Sequence, residues 1–245
     1  MDNNVEIDSS DINLISLANS QDQSNYYIDE IENAIDFLLM ADNFTNSKNK
    51  NKWKWISISL YHALYGFCIC CLKNGNYEQV LKDSKTEYYK LGNNKWLKAK
   101  YEGKGAFIQI NWEEIEGDPP EATIARKGKN DTQELLISFW DALSRVQDGV
   151  CYMNSKTNQK PLILTTQEKD SISILGSGIR NMIMHFIPCI HQLPVQILKE
   201  TFIVALKCIE FLALESNSFT FNDIEFSKTR IRNAVDSLRN KLKME

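Results

Sequence analysis

The segment WKWISISLYHALYGFCICCL (Trp53–Leu72) decides the fold, because no charged residue interrupts it between Ile56 and Leu72. An apolar segment of this length is expected either at the centre of a helical bundle or across a membrane. A polar edge of Ser59, His62 and Gly66 runs along it, and the sequence contains no second segment of this kind. We therefore predict a buried central helix without membrane contact. His62 is interpreted as a core histidine, the alternative being a contact with another helix or subunit.

Apolar residues recur at helical spacing on both sides of this central segment. Upstream, Ser24 is predicted to cap a helix that ends near Phe44. Downstream, Asp131 and Glu134 resemble a capping box for a helix that ends at Gly149. The fold class that follows is mainly all-α, an up-and-down helical bundle.

The second half of the chain continues this pattern. Thr165 and Glu168 form a capping box, which predicts a helix from there to about Phe186. Pro194 suits the first turn of the next helix. A final helix after Phe221 is rich in lysine and arginine, and a solvated face is its default interpretation; a contact with RNA or an acidic partner is the alternative.

Composition divides the chain into three parts. Residues 1–23 are rich in Asn, Asp, Ser and Gln and are predicted to be a mobile N-terminal segment. Residues 24–217 form the helical domain, with an insertion at about 77–130 that is poor in regular structure. Within it we predict a helix over Tyr77–Leu91 and a short strand over Ile108–Trp112, and its lysines with Trp96 are either a solvated face or an RNA-facing surface. Residues 218–245 form the basic helical tail.

The formal net charge of −4 over 245 residues excludes a global basic field, so any nucleic acid must bind a local patch. The N-terminus lacks the pattern of a signal peptide. The six cysteines are interpreted as reduced core thiols rather than metal or redox sites, although Cys68 and Cys71 form a C-x-x-C. We expect a cytoplasmic protein with no metal site and no cofactor.

Candidate site residues lie in the segment GIRNMIMHFIP (Gly178–Pro188). Pro188 ends the predicted helix, which places His185 in its last turn. Asn181 and His185 are four residues apart and share a helix face, and the long side chain of Arg180 reaches the same side. The alternative is that the arginine and histidine only complement the helix dipole.

These residues resemble the HEPN superfamily, whose hallmark is an R-x(4–6)-H motif with a polar residue after the arginine. Arg180, Asn181 and His185 occupy those positions at the shortest spacing. The order of the remaining matching segments resembles a branch of HEPN-like proteins carried on bacterial plasmids; these segments are Trp53-Lys54-Trp55, Ala63–Phe67, Leu136–Trp140, Ile179–Asn181 and His185-Phe186-x-Pro188. The resemblance covers roughly residues 26 to 214, without the insertion or the basic tail.

The resemblance implies a helical bundle that forms a homodimer with the two motifs facing each other. It implies a metal-independent endoribonuclease, acting as a toxin or in phage defence, with RNA as substrate and an antitoxin as a candidate partner. The 2′-hydroxyl of RNA is the nucleophile, His185 transfers protons, Arg180 stabilises the pentavalent phosphate, and Asn181 orients His185 or a phosphate oxygen. The alternatives are a non-catalytic module that binds RNA, a nucleotide or a protein partner, and a purely structural bundle.

Overall fold

The structure is a computed structural model and describes residues 29–73, 80, 88–92, 95–116, 136–152, 158–184, 192–218 and 224–244. Its helices are α1 Glu30–Thr45, α2 Lys52–Lys73, α3 Phe139–Val146, α4 Thr166–Ser173, α5 Asn181–Met184, α6 Val195–Glu210 and α7 Ile224–Met244. Its strands are β1 Tyr88–Gly92, β2 Lys95–Glu102 and β3 Gln109–Glu116. The described chain is therefore mostly helical, as the sequence predicts.

Helix α2 is the centre of the bundle. It packs against α1, α3, α6 and the segment that joins α4 to α5. Phe67, Leu60 and Leu64 are completely buried within it. By length and composition α2 is the one described helix that could cross a membrane, but 72% of its most apolar window is buried inside the protein. Contact with its own bundle accounts for the apolar sequence.

Helices α1 and α2 form an antiparallel pair with a close approach at Gly66. A Cβ atom at this position would lie 2.8 Å from the Cβ of Ala34. Glycine is required here because any larger residue would force the two helices apart. Gly66, which the sequence places on the polar edge of the helix, is thus a packing residue.

Two of the predicted helix starts need correction. Helix α1 is capped by Asp29, whose side chain accepts a hydrogen bond from the Glu32 amide; Ser24 lies outside the described residues. Helix α3 begins at Phe139, with Ser138 and Asp141 as its capping box. Asp131 and Glu134 also lie outside the described residues.

The last helix, α7, packs on α1 and α6 with Ile231, Val235 and Leu238 fully buried. Three of its basic side chains pair with acids of those helices: Arg230 with Glu32 at 2.7 Å, Lys241 with Asp42 at 2.9 Å and Arg239 with Glu210 at 2.5 Å. These three basic residues therefore have their acidic partners within the same chain. Because Arg230 meets the start of α1 and Lys241 its end, α7 runs parallel to α1.

The insertion contains more regular structure than the sequence predicts. Strands β1, β2 and β3 form an antiparallel sheet in that order, and residues 88–91, predicted to end a helix, lie in β1. The strand predicted over Ile108–Trp112 is confirmed, with β3 starting at Gln109. Tyrosine, tryptophan and isoleucine alternate with charged residues here, which favours strands over helix.

The sheet is joined to α3 through two side-chain hydrogen bonds. Arg145 Nε donates to the Tyr101 hydroxyl at 2.8 Å, and Trp112 Nε1 donates to Asp148 at 2.9 Å. On the sheet itself, Lys95 and Lys100 pair with Glu114 and Glu113, both at 2.6 Å. Those two lysines belong to cross-strand ion pairs, which supports a solvated charged face over an RNA-facing surface.

Five cysteines lie in the described part of the chain, and all five are buried free thiols; they are Cys68, Cys70, Cys71, Cys151 and Cys208. Burial raises the pKa of Cys71 and of Cys208 to about 12. A thiol with so high a pKa carries almost no thiolate and reacts slowly. The interpretation as core thiols is confirmed for these five, while Cys189 lies outside the described residues.

Candidate functional site

The helix that carries Arg180 is wound as a π-helix in the segment that ends at that residue. After α4, the chain continues as a π-helical segment over Ile174–Arg180 and then as α5 from Asn181. Two glycines within three residues weaken the preference for an ordinary α-helix. π-Helical turns are uncommon and occur frequently at functional sites.

Gly176 allows this segment to approach α3. A Cβ atom there would lie 2.6 Å from the ring of Trp140 and 3.2 Å from Phe139. Gly178 has no neighbouring atom within 4 Å of such a Cβ. The first glycine is therefore needed for packing, whereas the second is not.

Arg180 lies at the end of the π-helical segment and turns toward two neighbours. Its Nη1 donates a hydrogen bond to the side-chain oxygen of Asn181 at 2.8 Å. Its guanidinium carbon lies 5.5 Å from the ring centroid of Tyr61 on α2, a cation–π distance. Its Nε is buried and has no hydrogen-bond partner among the described residues. The guanidinium is thus held in place but retains an unused donor.

His62 contacts the same Tyr61 ring as Arg180. Its imidazole stacks on Phe37 of α1 with centroids 4.9 Å apart, and it meets the Tyr61 ring edge-on at 5.4 Å. Burial lowers the pKa of His62, and the positive charge of Arg180 lowers it further. The imidazole is therefore neutral at neutral pH.

Tyr61 is the residue of this cluster that sequence analysis missed. Its side chain is buried against Phe139, with ring centroids 4.7 Å apart. Burial raises the pKa of its hydroxyl, while Arg180 acts in the opposite direction. The signal available in the sequence was the polar pair Tyr61–His62 in the middle of an otherwise apolar helix. We name Tyr61, His62, Arg180 and Asn181 the arginine cluster.

The structure brings two of the three predicted site residues together. Arg180 and Asn181 are both half-buried and hydrogen-bonded to each other. His185 lies outside the described residues, so its position in the predicted last turn is untested. His62, assigned to the core from sequence, is only half-buried and contacts the same ring as Arg180.

The arginine cluster has the chemistry of an anion site. A guanidinium carries five donors, and only Nη1 has a hydrogen bond to a described residue. Asn181 accepts from Arg180 and fixes the plane of the group. Donors held in a fixed plane match the geometry of two phosphate oxygens.

A concavity lies away from this cluster. A groove of about 370 Å³ runs between β3, α3 and the segment before α4, and its polar lining includes Asn111, Asp148 and Lys169. Both oxygens of Asp148 already accept hydrogen bonds, one from Trp112 and one from the Val150 amide. This carboxylate stabilises the attachment of the sheet to α3.

Comparison of the chain with protein-family models, with curated proteins and with solved structures gave no match.

Proposed function

We propose that this chain is a metal-independent endoribonuclease of the HEPN type, a homodimeric cytoplasmic toxin or phage-defence effector. The observation that carries the proposal is the Arg180–Asn181 pair. An arginine is held by an asparagine hydrogen bond and a tyrosine ring at a change of helix winding, and the planar geometry of a guanidinium matches phosphate oxygens. These two residues are the first two positions of the motif that resembles the HEPN hallmark.

RNA supplies its own nucleophile for this reaction. The 2′-oxygen attacks the adjacent phosphorus, the O2′–P bond forms and the P–O5′ bond breaks. The 2′-proton passes to a general base, and the departing O5′ takes a proton from a general acid. The products are a 2′,3′-cyclic phosphate and a 5′-hydroxyl, and the balance needs neither a metal nor a protein nucleophile.

Arg180 stabilises the charge that builds up on the phosphate oxygens in the transition state. Asn181 positions the guanidinium through the 2.8 Å hydrogen bond. His185 transfers a proton, since an imidazole changes its protonation state near neutral pH. Base and acid are separate roles, and a two-fold homodimer supplies a second imidazole for the second role.

The test is cleavage of a mixed-sequence RNA in EDTA. We expect wild type to cleave, and Arg180→Ala to lose about 10²–10³-fold in rate, the usual cost of removing one stabilising donor group. His185→Ala should lose a comparable factor because it removes the proton carrier. The products should carry 2′,3′-cyclic phosphate and 5′-hydroxyl ends.

The matched control is Arg232→Ala, which removes an exposed arginine of α7 and should leave the rate unchanged. Absence of cleavage by wild type would refute the nuclease. If such a protein still bound RNA or a nucleotide, and Arg180→Ala weakened that binding, the same cluster would serve a non-catalytic binding module.

A further inference from the structure

The turn between α1 and α2 concentrates positive charge and aromatic surface in one short stretch. Its sequence is KNKNKWKW (Lys48–Trp55), with four lysines, two tryptophans and no acid. Lys48, Lys50 and Lys54 are exposed. Lys54 Nζ lies 5.0 Å from the Trp55 ring and Lys52 Nζ lies 5.1 Å from the Trp53 ring. On a chain of net charge −4, this is a local basic patch.

The two tryptophans have different environments. Trp53 is half-buried and stacks against the fully buried Phe202 at 6.2 Å. Trp55 is 40% exposed and stacks on Phe44 of α1, with centroids 5.9 Å apart and planes 21° apart. Trp53 therefore belongs to the core, while Trp55 is a supported indole that remains open to solvent.

The exposed side of the α1–α2 pair continues from Trp55 toward the arginine cluster. Trp55 and His62 are seven residues apart, which puts them on one helix face about 10 Å apart along the axis. Phe44 and Phe37 are likewise seven residues apart on α1. Phe44 stacks on Trp55, and Phe37 stacks on His62. Met40, between those two phenylalanines, is 44% exposed. We name this surface the aromatic seam.

Acidic residues near the seam are already paired. Asp42 accepts from Lys241 and from the Ser237 hydroxyl, and Asp36 lies 3.5 Å from Arg230. Lys243, two residues beyond Lys241, is exposed near the same end of α1. Negative charge along α1 is therefore offset by α7, and the lysines of the turn retain their positive field.

The lysines at the start of α2 do not stabilise the folded state. Helix α2 has no acidic residue in its first turn, and basic side chains at the positive end of a helix reduce its stability. If this face served only to contact solvent, an acidic residue in the first turn would stabilise α2. Lysines next to an open indole are instead the combination that holds single-stranded nucleic acid, because lysines contact phosphates and the indole stacks on a base.

We propose that the aromatic seam with Lys48, Lys50 and Lys54 binds single-stranded RNA and directs it to the arginine cluster. This rests on the proposed function, which makes RNA the ligand. Trp55 stacks on one base, the three lysines contact backbone phosphates, and the strand follows the seam past Met40 to His62 and Arg180.

The experiment measures binding of a fluorescein-labelled 2′-O-methyl 12-mer to the full chain by anisotropy at several salt concentrations. The 2′-O-methyl group blocks cleavage, so binding is measured with intact Arg180. We expect Lys48→Gln/Lys50→Gln/Lys54→Gln to bind at least tenfold more weakly and to reduce the log–log salt slope by about 2, since each lost phosphate contact contributes about 0.7. Trp55→Ala should weaken binding about fivefold or more.

The matched control is Lys95→Gln/Lys98→Gln/Lys100→Gln, which removes the same charge from β2 and should bind like wild type. Thermal melting of each variant shows that it is folded; Lys48, Lys50 and Lys54 are exposed and do not stabilise the start of α2, so their triple variant should melt at or slightly above the temperature of wild type. Equal weakening by both triple variants would mean a diffuse charge effect and overturn the proposal. Tighter binding of duplex RNA than of the single-stranded 12-mer would also overturn it. So would a Lys48, Lys50 and Lys54 variant that loses binding to anionic lipid vesicles while its binding of RNA is unchanged.

This result is separable from that of the nuclease. If wild type cleaves RNA in EDTA and the Lys48, Lys50 and Lys54 variant binds and cleaves equally well, the seam proposal fails and the proposed function stands. If the 12-mer binds through the seam and wild type cleaves no RNA, the nuclease fails and the seam remains an RNA-binding surface.

Discussion

Arg180 and His62 are linked through one aromatic ring. The guanidinium lies 5.5 Å and the imidazole 5.4 Å from the centroid of Tyr61. Burial lowers the pKa of the His62 imidazole, and the positive charge of Arg180 acts in the same direction. The pKa of His62 should therefore respond to removal of Arg180.

We expect the pKa of His62, followed by NMR of its ring nitrogens, to lie below the ordinary value in wild type. In Arg180→Ala the pKa of His62 should rise but stay below that value, because burial is the larger cause. Arg232→Ala, which removes an exposed arginine of α7, should leave it unchanged. An unaltered pKa of His62 in Arg180→Ala would show that the two groups do not sense each other.

The same shift makes folding depend on pH. Unfolded His62 binds a proton more readily than folded His62, so the unfolded state holds more protons just below the ordinary pKa. The free energy of unfolding should therefore fall as pH drops through that window. His62→Gln should flatten this part of the urea-denaturation profile, and a profile identical to that of wild type would contradict the assignment.

At the scale of the helix, the π-helical segment that ends at Arg180 packs closely on Trp140 through Gly176. We expect Gly176→Ala to cost about 1–3 kcal/mol, because the added methyl overlaps a half-buried indole. It should also lower RNA cleavage, since moving Trp140 or the π-helical segment moves the arginine. Urea denaturation and the EDTA assay measure the two effects.

Gly178→Ala is the control within the same segment. Its methyl meets no atom within 4 Å, so we expect unchanged activity and a gain of at most about 1 kcal/mol from reduced backbone freedom. If both substitutions behave alike, the packing of Gly176 is not what positions Arg180.

The sequence was sufficient for elements with a clear period or cap. The central apolar helix and the Thr165–Glu168 capping box are confirmed. Within the helix predicted from this capping box, apolar residues at helical spacing are buried, with Ile172 and Leu175 fully buried and Ile179 nearly so. In each case a local pattern determines the local structure.

Features set by tertiary contacts were not predicted. The close contact between Gly176 and Trp140 joins residues that are far apart in sequence. The role of His62 depends on Phe37 and Arg180, which lie on two other helical segments. The strand at Tyr88–Gly92 is completed by pairing with β2. The sequence carries local signals at these places, but none of them specifies the distant partner that each residue contacts.

At the scale of the whole molecule, the proposed chemistry requires two chains. We expect the mass in solution to equal that of a dimer, and the activity per mole to fall on dilution in step with dissociation, because a second imidazole is lost. Light scattering and a dilution series of the EDTA assay measure this. A monomer with full activity would contradict the shared site.

The parallel packing of α7 on α1 has a consequence for biosynthesis. About 200 residues separate the two helices, so at ~5–20 residues per second the ribosome takes roughly 10–40 s to deliver the second after the first. Throughout that interval the face of α1 that packs on α7 lacks this partner. We therefore expect a chain that ends upstream of Ile231 to expose this face and to aggregate more readily than the full chain.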